Sequence, residues 1–126
     1  SIGPHRRSVE LAPDQPLLKV NLARSLTQDG AEEQLDEAVG LLIDAIAQDK
    51  ENAFAWNQLA LAYGKQNRVG DADLATAEEA YAIGDVRRAH VFASRASRKL
   101  DPNTPNGRRA SDIAAITDPR ANGRRG

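Results

Sequence analysis

Apolar residues recur three and four positions apart through successive stretches of this chain, and clusters of Gly, Pro, Asn and Asp separate those stretches. That spacing collects the apolar side chains of each stretch on one face of an α-helix. No stretch alternates apolar and polar residues as a half-buried strand would. The expectation is an all-α fold of about six helices.

Pro16 suits a first helical position, where its missing N–H costs nothing. Leu17, Leu18, Val20, Leu22 and Leu26 carry that helix to about Gln28, and Asp29-Gly30 ends it. A second helix is expected from Glu32 to Gln48, with Leu35, Ala38, Val39, Leu42, Ile43, Ala45 and Ile46 facing inward. A third, Ala53 to Gln66, carries Phe54, Trp56, Leu59, Ala60, Ala62 and Tyr63. Gly70 stops it and Asp71 is expected to cap a fourth, Ala-rich helix ending near Ile83. After Gly84-Asp85 a fifth runs to about Leu100, with Val86, Ala89, Phe92, Ala93 and Ala96 inward. The turn from Asp101 to Gly107 precedes a sixth, Arg108 to Ile116.

Length and composition narrow the functions available. At 126 residues the chain is one domain or one stack of repeats. Aromatics are only 4%, so the core must be built from Ala, Leu, Ile and Val. With no Cys, disulfides, thiolate catalysis and cysteine-ligated zinc are excluded. The two histidines, His5 and His90, form no HExxH pattern, so no zinc-protease site is expected here. No Gly-x-Ser-x-Gly elbow or phosphate-binding loop occurs. Glu78 and Glu79 are adjacent on a helix and diverge by about 100°, so they do not converge on one substrate. The net charge of -1 hides a split. Residues 1–84 hold 7 Lys/Arg against 14 Asp/Glu, and residues 85–126 hold 10 against 4. The basic end lacks a reading motif or interleaved aromatics, which argues against nucleic acid as the partner.

The sequence repeats within itself. Leu22-Ala23 with Leu26 recurs as Leu59-Ala60 with Tyr63, 37 positions on, and Ala38 and Ala72 are 34 apart. A unit of roughly 34 residues made of two antiparallel helices resembles the tetratricopeptide repeat. The Trp56, Leu59-Ala60 and Tyr63 spacing is similar to the first helix of that repeat. Leu35-Asp36-Glu37-Ala38 and Gly84-Asp85-Val86-Arg87-Arg88-Ala89 are similar to the start of its second helix, and Leu100-Asp101-Pro102-Asn103 to its closing turn. Two departures stand out: Lys50 occupies a position where the family often has Pro, and Ala72 to Ala89 is only 17 residues, half a repeat. The fourth helix is therefore expected to end one repeat and begin another.

Over about residues 8–116 the order of elements, closing on Arg108-Arg109-Ala110-Ser111-Asp112-Ile113, resembles the C-terminal repeat region of BepA-like periplasmic zinc metallopeptidases of Gram-negative bacteria. The resemblance implies a right-handed superhelix of helix pairs. It also implies a non-catalytic module that recruits protein clients or regulates a protease domain, with zinc held in that other domain and none here. Periplasm or cell envelope is the implied location, with cytoplasm the alternative. A freestanding scaffold unrelated to a protease, and a segment lending residues to an enzyme site, are the other readings.

Three regions are expected. Residues 1–15 read as the end of a preceding helix and a turn, 16–116 as the repeat domain, and 117–126 as a disordered basic tail. The working surface is expected where the first helices of successive pairs meet. Leu17, Val20, Arg24 and Gln28 would come from one helix, and Phe54, Asn57, Leu61 and Lys65 from the next. An apolar strip edged by cations and an amide suits a protein or peptide segment.

Overall fold

The structure, a computed structural model, describes residues 15–123. They form α1 (Pro16–Asp29), α2 (Glu32–Gln48), α3 (Ala53–Lys65), α4 (Val69–Ala82), α5 (Val86–Lys99), α6 (Pro105–Ile116) and the single turn α7 (Pro119–Gly123). Among the described residues there is no strand, so the chain is all-α. None of these helices is long and apolar enough to cross a membrane. The expected helix tail in residues 1–14 lies outside the described residues.

The ends follow local chemistry. Gly30 closes α1 at φ 74°, the left-handed conformation that favours glycine, and its N–H bonds the Leu26 carbonyl. Asn52 caps α3 by accepting from the Ala55 N–H, and Asp85 caps α5 by accepting from the Arg88 N–H. Two expected ends move. α4 starts at Val69, so Asp71 lies in its first turn rather than capping it; its carboxylate instead takes the side chains of Arg68 and Asn106. α6 starts at Pro105 rather than Arg108, because Thr104 accepts from the Gly107 N–H and Pro105 fills the first helical position.

Short loops make successive helices antiparallel neighbours. From α1 to α6 each helix packs on the next, α1 also touches α3, and α4 also touches α6. The core comes in two parts. Leu22, Leu26, Ala38, Leu42, Leu59 and Tyr63 belong to a first cluster built from α1, α2 and α3, and Ala75 of α4 joins it. The second gathers Leu74, Ala77 and Ala80 of α4 with Ala89, Ala93 and Ala96 of α5 and Ala110 and Ile113 of α6. α4 therefore belongs to both. Its small side chains let helices approach closely on two sides, which a helix of leucines would prevent.

Some residues expected inside are not. Ile43 and Val86 are exposed, because each sits at the margin of its helix's apolar stripe. Order also continues past Ile116, where a disordered tail is the compositional expectation. Thr117 is buried, its hydroxyl donates to the Ile113 carbonyl, and α7 follows. Residues 124–126 lie outside the described residues.

Trp56 is half-buried against the first cluster, with its indole N–H donating to the Lys50 carbonyl at 2.9 Å. Because Trp56 is only partly buried, Trp56→Ala is expected to cost about 3 kcal/mol, the low end of aromatic-to-alanine changes. Urea unfolding followed by circular dichroism measures it.

Candidate functional site

The structure brings the expected surface of α1 and α3 together. Two helices that both run antiparallel to α2 are parallel to each other, and the Lys65 ammonium donates to the Thr27 carbonyl at 2.9 Å across the pair. That contact joins residues 38 apart, close to the 37-residue offset of the repeat. Leu17 (68%), Phe54 (46%) and Leu61 (52%) remain exposed on these helices. Arg24 and Gln28 are exposed and Asn57 is partly buried. Val20 is the exception. It is 1% exposed and belongs to the core, so it is not available to a partner.

The repeat positions separate by burial. Leu22, Ala23, Leu26, Ala38, Leu59 and Tyr63 are buried in the first cluster, with Trp56, Ala60 and Ala72 partly buried against it. Ala89 is in the second cluster, and Pro102 is exposed in the α5–α6 turn.

A second concavity was not foreseen. A cavity of about 230 Å³ opens among Ile43 and Ile46 of α2, Trp56, Leu59 and Tyr63 of α3, Leu74 and Ala75 of α4, and Asn106 and Arg109 of α6. It shares Ile46, Trp56, Glu78 and Arg109 with an adjoining hollow of about 520 Å³ that reaches Lys50, Glu51, Tyr81 and Ala82. From Asp71 to Ala82 this cleft follows α4 for about 16 Å at 1.5 Å per residue. Ile43 was the available signal: with Ile46 it widens the apolar stripe of α2 past what one neighbouring helix covers. Arg109 and Asn106 carried no signal, since only the fold brings them to α4.

Four polar side chains of the cleft, Asp71, Glu78, Asn106 and Arg109, are paired with one another. Arg109 makes a two-pronged contact with Glu78, both bonds 2.8 Å, and that hydrogen bonding raises the Arg109 pKa. Asn106 donates to Asp71 at 2.8 Å. Arg68 pairs with the same carboxylate and lies 4.4 Å over the Tyr63 ring. Burial raises the Tyr63 pKa, with Arg68 opposing it. At the far end of the helix order, the Asp118 carboxyl is held below its usual range by the Arg120 backbone N–H and side chain.

His90 is committed to structure: its Nδ1 lies 3.0 Å from the Ala114 carbonyl and 3.2 Å from the Thr117 hydroxyl. Among the described residues no group of His, Asp and Glu is arranged to hold a metal ion. No protein family, curated protein or solved structure matches this chain.

Proposed function

We propose that this chain is a non-catalytic protein-interaction module of the tetratricopeptide type. In this reading it is the C-terminal client-recruiting or regulatory part of a periplasmic zinc metallopeptidase. The observation that carries the interaction role is the row of apolar side chains left uncovered on the parallel pair α1 and α3. Among the described residues Leu17, Phe54 and Leu61 are exposed rather than packed in the core, and Arg24, Gln28, Asn57 and Lys65 share those helices. Exposed large apolar side chains set among cations and amides are what a bound protein segment covers.

The helix contacts support the repeat reading. First helices of successive repeats touch, as α1 and α3 do. The next such contact is α4 with α6, one helix out of step. That is the expected consequence of a half repeat between Ala72 and Ala89, with α4 closing one pair and opening the next.

Selection of random 20-residue peptides on the immobilised chain tests the interaction role. Phe54→Asp with Leu61→Asp is expected to weaken the selected peptides at least tenfold, since buried anchors dominate such contacts. Arg24→Glu with Lys65→Glu is expected to weaken acidic ones about tenfold. Unchanged affinity in both variants would remove the assignment. The protease link has its own test: capture of the native polypeptide with an antibody against this segment. A native chain several times 13.6 kDa carrying about one zinc agrees with it. A short, zinc-free chain would leave the same surface to a freestanding adaptor.

A further inference from the structure

Two charged helix faces take no part in the α1–α3 row or in the cleft. On α2, Glu33, Asp36, Gly40 and Asp44 are all exposed and follow one another at three- and four-residue steps. On α5, Arg87, Val91, Arg95 and Arg98 do the same. Each set forms one stripe about 16 Å long. The side chains of Glu33, Asp44, Arg87 and Arg98 have no hydrogen-bond or charged partner among the described residues. The Asp36 carboxylate accepts only from the Gln66 amide. The Arg95 guanidinium rests 4.8 Å over the Phe92 ring, with Arg88 5.3 Å from the same ring. Stacking holds the Arg95 guanidinium in place and leaves its N–H donors free, whereas Arg88 also pairs with Glu79.

The stripes match in sign and in spacing. Laid antiparallel, Glu33 stands opposite Arg98, Asp36 opposite Arg95, Gly40 opposite Val91 and Asp44 opposite Arg87. The same alignment sets the acidic first turn of α2 beside the basic last turn of α5, where the opposed helix dipoles attract. Gly40 fits this reading. A glycine in a helix interior is destabilising relative to alanine, and beyond its own helix backbone nothing among the described residues lies within 4 Å of where its Cβ would be. The space beside it is open to a side chain from outside. Both stripes face solvent, so the pairing is not made within one copy.

We propose that α2 of one copy docks antiparallel on α5 of a second copy. Val91 seats over Gly40, and the Glu33, Asp36 and Asp44 carboxylates meet Arg98, Arg95 and Arg87. Because different patches of the two copies meet, the contact is heterologous. Exposed ion pairs are individually weak and screened by salt, so assembly depends on concentration and ionic strength.

Sedimentation velocity of the full chain tests this from 5 to 500 µM, in 25 mM and 500 mM NaCl. At 25 mM the average mass is expected to rise with concentration above 13.6 kDa, and at 500 mM to return to it. Arg87→Glu with Arg98→Glu should stay monomeric alone, as should Glu33→Arg with Asp44→Arg. Their mixture should assemble again, since each variant then carries the charge the other needs. Gly40→Gln should abolish assembly while raising the thermal midpoint, a combination that loss of folding cannot produce. Phe54→Asp with Leu61→Asp should leave assembly intact, which separates this contact from the peptide surface. A wild-type chain monomeric at 25 mM NaCl would overturn the proposal. So would assembly that persists in the charge-reversed variants, or a mixture that stays monomeric. Binding of a 20-bp DNA duplex through Arg87 and Arg98, without self-association, would reassign the α5 face and overturn it as well.

Discussion

Gly107→Ala is expected to unfold the second half of the molecule, at a cost of about 3 kcal/mol or more. Gly107 is buried in the first turn of α6. A methyl group there would collide with the Asp101 carbonyl oxygen, and would lie 2.7 Å from the Asp101 carbonyl carbon and 3.1 Å from the Pro102 Cα. These are backbone atoms and cannot swing aside. The Asp101 carbonyl also accepts from the Thr104 N–H and hydroxyl, so moving it dismantles the turn that docks α6 on α5. Gly64→Ala is the control. Nothing lies within 4 Å of its Cβ position, so that change should be neutral or stabilise by up to about 1 kcal/mol. Urea midpoints of the two variants should move in opposite directions or differ by the whole effect of Gly107→Ala. Equal midpoints would contradict the close approach of α6 to the α5–α6 turn.

Leu42→Ala should be the costliest change in the first core, about 3–4 kcal/mol from lost burial and the cavity left behind. Leu42 is fully buried on α2, within the cluster shared with α1 and α3. Its effect should be uneven along the chain. Stacked helices are stabilised by near neighbours, and α4 joins this cluster through two small side chains, Ala75 and the partly buried Ala72. Amide hydrogen exchange in α1, α2 and α3 should accelerate by at least 100-fold, with a smaller change in α5 and α6. Equal acceleration throughout would show the two clusters to be one cooperative unit.

Much of the fold is legible in the sequence, because helix period, caps and turn residues act locally. α2 begins and ends where the spacing puts it, and Gly30 and Asp85 end and begin helices by chemistry that neighbours do not alter. Asp71 and Gly107 depart from the sequence expectation for the opposite reason. One is a salt-bridge and hydrogen-bond acceptor for Arg68 and Asn106, the other a point of close approach to Asp101. Both roles depend on contacts that only tertiary packing makes. The candidate surface shows the same division. The period places Leu17, Phe54 and Leu61 on their helices but cannot say which side a third helix will cover. Val20 therefore turned out buried and Ile43 exposed. The cleft along α4 is further from view, since it joins Ile43, Trp56 and Arg109 from three helices.

The interaction role is tested most directly by an amide chemical-shift map, taken with a peptide selected on the wild-type chain and titrated to saturation. The account predicts that the largest shifts fall on residues 17, 24, 28, 54, 57, 61 and 65, with the buried faces of α5 and α6 unmoved. Largest shifts along the α4 cleft, at Ile43, Trp56, Tyr81 and Arg109, would contradict it and move the binding surface to the other concavity.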